Sequence, residues 1–337
     1  MESQPKFIVV IGTSAGGINA LSELVAQLTA ETDAAYFIVM HLSRKGIGDF
    51  LVHRLLQQTK LPCRQATHGE EIKQGHIYVS PPDEHMLLEE GKIILGKGPA
   101  ENRWRPSVNN LFRSAAAAYG ERVIGIVLTG FLDDGTAGMS AIKRSGGTCI
   151  VQDPNQAEYP DMPLSVLNNM EVDYCIPLAE MGNIIWDITQ TTKLKDTKIP
   201  QDVITEAAID RKVSTSISDV EVFDKTVYNC PDCGGGLWIT THDHPTHYRC
   251  HVGHSYTEDD LLIRQSETLE ATLWTALRMM EERKALLVQM HEKQKSKGLR
   301  HAANIHIERA NELVAHINNL KGILFETRDP NPVFQAK

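Results

Sequence analysis

The sequence predicts an α/β fold: a doubly wound, mostly parallel sheet with helices on both faces, followed by a small zinc ribbon and an α-helical hairpin. Three observations carry this reading. Short apolar runs alternate with amphipathic stretches through the first part of the chain, the pattern of buried strands joined by crossover helices. Cys230, Cys233 and Cys250 cluster among histidines, which points to metal rather than packing. After Thr257, leucines and methionines recur at near-heptad intervals.

The elements follow in order. Phe7 to Ile11 is a strand that runs into the turn G-T-S-A-G-G and an amphipathic helix, Ile18 to Leu28. Y-F-I-V-M-H is a second buried strand, and G-I-G-D-F-L-V-H-R-L-L begins the next helix. H-I-Y-V-S reads as a strand and L-L-E-E-G-K-I-I-L as a hairpin around Gly91. Pro106 opens a helix through Ala118, I-G-I-V-L-T-G is another strand, Thr136 to Ser145 a helix, and T-C-I-V-Q closes the series. The domains expected are 1–190 (α/β), 191–225 (a polar linker with one short helix near Val203 to Ala208), 226–256 (zinc-ribbon-like) and 257–327 (helical hairpin). In the hairpin, Leu262, Leu269, Leu273, Met280 and Leu287 face Leu313, Ile317, Leu320 and Leu324 across the break K-S-K-G. That stripe packs within the hairpin, pairs with a second copy as a homodimer, or docks a helical partner.

Charge and composition narrow the function. The 337 residues carry a net charge of -9, which argues against a nucleic-acid binder working through overall basicity. The apolar runs are strand-length, so no membrane insertion is expected, and the N-terminus lacks a basic segment followed by an apolar one. The expectation is a cytoplasmic protein. Cys63, Cys149 and Cys175 are scattered among apolar neighbours and receive no chemical role.

Gly12-Thr13-Ser14-Ala15-Gly16 matches G-x-S-x-G between a strand and a helix. A sharp turn exposes the serine hydroxyl, and the helix start supplies free N–H groups for a developing oxyanion. Serine needs a base, and the base an orienting carboxylate. His41 ends the second strand and Asp134 follows L-T-G, so all three fall at carboxyl ends of strands, where sites in such sheets gather. The chain order Ser, His, Asp differs from that of ordinary α/β-hydrolases, and the G-x-G-x-x-G and G-K-[ST] cofactor fingerprints are missing. Asp133 competes with Asp134, but adjacent side chains in an extended loop point apart, so one alone reaches His41.

Cys230 and Cys233 have knuckle spacing, and C-x-x-x-H adds Cys250 and His254, a set for one structural Zn²⁺; His251 and His247 compete for the fourth position. No cofactor is expected for catalysis.

The residues quoted resemble the catalytic domain of the chemotaxis protein-glutamate methylesterases. The matching pieces are I-G-T-S-A-G-G, V-M-H-L, I-Y-V-S-P-P-D-E-H, R-P-S-V-N-N-L-F-R-S-A-A, V-L-T-G-F-L-D-D-G-T-A-G-M and V-Q-D-P-N-Q-A-E-Y-P-D-M-P, in family order over residues 6–190. The resemblance implies Ser14 as nucleophile, His41 as general base and acid, and Asp134 as the carboxylate that orients it. It implies hydrolysis of glutamyl methyl esters on chemoreceptors or a related signalling protein, releasing methanol, with deamidation of glutamines as a second activity. It favours His254 as the fourth metal ligand. Ala15, Gly16 and Phe131 are the expected oxyanion and substrate-binding positions. Ala15, Phe131 and Asn109 depart from the family's usual residues, which bears on substrate preference. Many relatives carry a receiver domain ahead of this one; with the first strand at Phe7, the expectation is a separate receiver-domain regulator or control by the C-terminal half. Two other readings stand beside this one: a patatin-like acyl hydrolase working through a Ser–Asp dyad, and a non-catalytic adaptor that uses the C-terminal half.

Overall fold

The computed structural model describes residues 4–41, 48–101, 103–195, 197–211, 224–240 and 246–326. The chain divides into two compact units, Met1–Asp260 and Leu261–Lys337.

In the first unit the chain forms β1 (Phe7–Thr13), α1 (Gly17–Val25), β2 (Ala34–Met40), α2 (Gly48–Leu56), β3 (Cys63–Gln65), β4 (Ile77–Val79) and the hairpin β5 (His85–Glu89) and β6 (Lys92–Gly96). It continues through α3 (Val108–Tyr119), β7 (Val123–Val127), α4 (Thr136–Arg144), β8 (Thr148–Gln152), α5 (Asp161–Asn169), β9 (Tyr174–Ile176) and α6 (Met181–Thr191). Seven strands make one sheet in the order β3-β4-β2-β1-β7-β8-β9, with every pairing parallel. Along β1 successive side chains alternate between two cores. Ile8 and Val10 join α3, α4 and α5 on one face, while Phe7, Val9 and Ile11 join α1, α2 and α6 on the other. The doubly wound, parallel α/β body is therefore present as the sequence predicts.

The series does not close at T-C-I-V-Q. The edge strands β3 and β9, and the helices α5 and α6, lie outside the elements read from sequence. Each edge strand has only three residues, too short to register as a periodic signal. The polar stretch expected as a linker holds a helix where a short one is expected near Val203 to Ala208, longer than expected and packed on the body. This is α7 (Gln201–Arg211), which packs Val203 into the main core. Two of its acidic residues, Glu206 and Asp210, are buried because both pair with Arg113 of α3. Residues 212–223 of that stretch, like the start of the G-I-G-D helix and residue 327 of the hairpin, lie outside the described residues.

The first unit ends in a four-stranded antiparallel module: β10 (Asp224–Asn229), β11 (Gly236–Thr240), β12 (His247–Cys250) and β13 (Ser255–Thr257). It is fastened to the body by a buried ion cluster. Arg113 binds Glu101 at 2.8 Å, Glu206 at 2.6 Å and Asp210 at 2.7 Å. From the module, Arg249 pairs with Asp210, and His247 Nε2 stands 3.3 Å from Glu206. Burial pushes the Glu101 carboxyl up, but the Arg113 guanidinium overcomes this and holds it at about 2.

Helices α8 (Glu258–Ser296) and α9 (Arg300–Glu326) form the hairpin, with Gly298 at φ 78° in the turn. Leu277, Ile317 and Leu324 are buried between them, flanked by Leu273, Met280, Leu313 and Leu320. Leu262 and Leu269, expected on the same stripe, are 61% and 58% exposed. The helix lengths explain this, because α8 has 39 residues and α9 only 27, so the start of α8 extends past the described end of α9.

Candidate active site

Three strand ends build the site. β1 delivers Ser14 into a turn tied down by its neighbours: the Ser14 N–H donates to Thr129 O at 3.1 Å, and Gly17 N–H to Ser14 O at 3.0 Å. The Thr129 hydroxyl donates to Ala15 O at 3.1 Å, and the Thr13 hydroxyl to Thr129 O at 2.7 Å. Gly16 caps α1 at φ 76°, a left-handed conformation, and a Cβ there would stand 3.0 Å from Thr129 Oγ1 and Glu158 Oε2. Gly130 is required for a different reason: a Cβ there would collide with Met162 and come within 2.8 Å of Ser14 Cβ.

His41 leaves the end of β2 with its N–H on Thr13 O at 3.2 Å. Its Nε2 lies 2.7 Å from Asp134 Oδ2, and its Nδ1 is buried with no hydrogen-bond partner among the described residues. The ring lies flat on Trp104, with centroids 4.2 Å apart and planes 3° from parallel. Asp134 is 1% exposed and sits on the N-terminus of α3. Besides His41 it accepts the Ser107 hydroxyl at 3.0 Å, Val108 N–H at 2.7 Å and Asn109 N–H at 3.1 Å. Four donors around one acid suit an acceptor-only carboxylate and fix its orientation.

Of the two adjacent acids, Asp134 is the one that reaches His41. Asp133 instead faces Thr257 and Asp260; burial, then the charges of Asp260 and Asp134, push its carboxyl from 3.8 up to about 7. Asn109 also has a structural role: its Oδ1 accepts Gly135 N–H at 3.0 Å and Gly138 N–H at 2.8 Å, capping α4.

Ser14, Ala15, Gly16 and His41 line one groove of about 670 Å³ with Phe50, Arg54 and Glu158. Ser14 and His41 share the groove without a hydrogen bond between them, which leaves Nδ1 as the imidazole nitrogen without a partner among the described residues. The Ala15 and Phe131 N–H groups donate to no acceptor among the described residues. Phe131 is half-exposed and packs against Tyr159 at 4.4 Å. Sequence reasoning missed Trp104, Ser107 and Thr129. Ser107 lay inside the quoted R-P-S-V-N, but nothing in periodicity announces that a tryptophan stacks on a histidine sixty-odd positions away.

In the module, Cys230, Cys233, Cys250 and His254 place their ligand atoms within 4.8 Å of one another. Cys233 Sγ lies 3.7 Å from Cys250 Sγ, which in turn lies 3.5 Å from His254 Nδ1. Tetrahedral Zn–S bonds of about 2.3 Å require sulfur separations of about 3.8 Å, so the donor set fits. Hydrogen bonding from Cys250, against the opposing effect of burial, holds the Cys230 thiol down at about 3, the thiolate side a metal needs. Of the competing histidines, His247 Nδ1 pairs with Thr240 Oγ1 at 2.8 Å, while the His251 ring lies over Gly235, next to Cys233. Cys63 and Cys149 are buried, their thiols pushed up to about 12 by desolvation, while Cys175 is exposed on the edge strand.

A family profile described as CheB methylesterase matches residues 9–185. A relative from Leptospira interrogans, provisionally named for methylesterase and glutaminase activities, is 36% identical over 184 residues, which are 54% of this chain and 94% of that one. The protein-glutamate methylesterase/protein-glutamine glutaminase 2 of Methanosarcina acetivorans is 36% identical over 192 residues, 55% of this chain and 54% of its own. The crystal structure of the Thermotoga maritima CheB methylesterase catalytic domain aligns with a TM-score of 0.52 at 32% identity, covering 55% of this chain and 99% of that one. The antiparallel module and the hairpin lie beyond the matched residues. The patatin-like alternative, in which an aspartate works without histidine, is not favoured, since His41 is bonded to Asp134.

Proposed function

Because the chain belongs to the CheB methylesterase family, we propose that it is a serine hydrolase that demethylates glutamyl methyl esters on a chemoreceptor or related signalling protein, with glutamine deamidation as its second activity. The observation that carries this reading is the His41–Asp134 pair at 2.7 Å, with the opposite imidazole nitrogen unpartnered beside the Ser14 turn.

The steps follow from charge. The Ser14 hydroxyl passes its proton to His41 Nδ1 as its oxygen bonds to the ester carbonyl carbon. Negative charge gathers on the carbonyl oxygen, where the Ala15 and Phe131 N–H groups stabilise it; one such donor contributes roughly 3 kcal/mol. The intermediate collapses, the C–O bond to methoxide breaks, and His41 returns the proton so that methanol leaves. Water then gives a proton to His41 and attacks the glutamyl-Ser14 ester, and Ser14 recovers its proton as glutamate departs. With glutamine the leaving group is ammonia. Asp134 holds the imidazole throughout and stabilises its positive form.

Cys230, Cys233, Cys250 and His254 would hold one structural Zn²⁺, which would supply folding energy and no catalytic step. The protein works in the cytoplasm, under a separate receiver-domain regulator, and the hairpin serves docking or homodimerisation.

The test is methanol release from methylated receptor. Ser14→Ala abolishes it while the melting temperature stays within about 2 °C, as expected for a partly exposed turn residue whose side chain makes no hydrogen bond among the described residues. Substantial turnover in that variant would remove the nucleophile assignment.

A further inference from the structure

We propose that Trp104 is a positioning residue for the His41 imidazole and that the module β10–β13 holds Trp104 in place, so that metal loading of the Cys230–Cys233–Cys250–His254 cluster governs how readily Ser14 is activated. The proposal rests on the reading of Ser14, His41 and Asp134 as the hydrolytic relay.

The geometry of the imidazole sets the requirement. A ring has an in-plane rotation and a tilt. The Asp134 hydrogen bond fixes the rotation, and the flat contact with Trp104, 3° from parallel, fixes the tilt. Together they decide where the unpartnered Nδ1 points. A misplacement of about 1 Å at such a group costs around a hundredfold in rate.

Trp104 does not hold itself there. It belongs to a tight turn in which its N–H donates to Glu101 O at 2.8 Å and Glu101 N–H donates to Trp104 O at 3.2 Å. Arg103, inside the turn, takes φ 67°, a left-handed conformation that favours glycine. The anchors of this turn come largely from the C-terminal part of the unit. Glu101 forms a parallel bridge with Ser255 of β13, and the Arg103 guanidinium binds Asp260 at 3.0 Å. The Glu101 carboxylate is clamped by Arg113, in the buried cluster that Arg249 of β12 completes.

Ser255 is the residue after His254, and Cys250 N–H donates to His254 O at 3.0 Å, so the last metal ligand and the strand that grips the turn are one continuous piece of backbone. Losing the metal releases that piece. Ser255 and Asp260 lie beyond the residues that match the family, so this clamp is a property of the C-terminal extension.

The experiment uses the full chain and measures methyl-ester hydrolysis, metal content, and hydrogen exchange of the peptide covering 98–105. Trp104→Ala lowers kcat about tenfold to a hundredfold with KM within about twofold, and Trp104→Phe, which keeps a stacked ring, recovers most of it. Cys233→Ser, at the exposed ligand, loses the metal, speeds exchange at 98–105 and lowers kcat to the Trp104→Ala level. The double variant falls no further, because both changes remove the same constraint. Arg103→Ala lowers kcat severalfold at unchanged metal content, which keeps the test open if Cys233→Ser fails to fold. Wild-type kcat in Trp104→Ala, with Ser14→Ala inactive, overturns the positioning role alone. Metal loss in Cys233→Ser with kcat and exchange unchanged overturns the link to the module. Turnover that survives Ser14→Ala overturns the underlying reading of the site, and this proposal with it.

Discussion

The parallel sheet and the antiparallel module are held together by different physics. In the body, Phe7 through Ile11 are essentially inaccessible, and each strand side chain meets helices above or below it. Burying each such side chain contributes roughly 1.5–3 kcal/mol, so the body is stabilised by many small apolar terms. The module has few of these. Leu237, Tyr256 and two ligand cysteines are its main buried apolar residues, while Val227 at one edge is 91% exposed. What it has instead is a cluster of three cysteines and a histidine that could hold a metal ion, and a shared set of buried charges. Many weak contacts tolerate the loss of any one; a few strong ones do not.

Metal removal is therefore the largest expected effect. Structural zinc sites in small modules contribute roughly 10–16 kcal/mol of apparent binding energy, more than a module of this size recovers from its core. A chelator should produce an early transition in which amides of β10–β13 exchange freely while those of β1 and β7 stay protected. Coincident protection in both regions with and without chelator would place the two on an equal footing and break the contrast.

Arg113 tests the joint. Replacing it with Met leaves Glu101, Glu206 and Asp210 facing only Arg249 and His247, and uncompensated buried carboxylates cost about 3–5 kcal/mol. Adding Glu101→Gln and Glu206→Gln should recover most of that loss in denaturant melts, since the penalty lies in unpaired charge and not in missing volume. The joint is also acid-sensitive. Glu101 is held at about 2 against an ordinary 4.5, so its contribution is present above pH 4.5 and is lost as pH falls toward 2.

The same contrast explains what the sequence revealed. β1, β2, β7 and β8 are continuous apolar runs because both faces are covered, and the residues at their ends stand where the strand pattern places them. The C-x-x-C and C-x-x-x-H spacing exposed the cluster in the same way. α7 was legible only as a short helix in a linker, and its packing onto the body was not, because its buried face carries Glu206 and Asp210, whose partners lie on α3 and β12, and hydropathy reads an internally paired charge as solvent-facing. Leu262 and Leu269 misled in the opposite direction. Their heptad spacing is real, but spacing does not record how far the partner helix reaches. Trp104 and Ser107 contact residues at distant strand ends, which no local pattern encodes.

The finest comparison separates two neighbours at the boundary between the regions. Asp134 faces the body and Asp133 faces Thr257 and Asp260. Asp134→Asn should lower kcat by around 10⁴, since an amide cannot reproduce four acceptor contacts or stabilise the charged imidazole. Asp133→Asn should leave kcat within severalfold and change stability instead, with a sign fixed by its raised value. A carboxyl at about 7 when folded and 3.8 when unfolded binds more protons in the folded chain between those limits, so wild-type stability falls as pH rises from about 4 to above 7. The asparagine variant loses that slope. In denaturant melts the two proteins should match near pH 4, and at pH 8 the variant should be more stable by about 4 kcal/mol. Equal stability at both pH values would mean that Asp133 ionises freely, and the close approach of Asp260 to the catalytic loop would then carry no electrostatic cost.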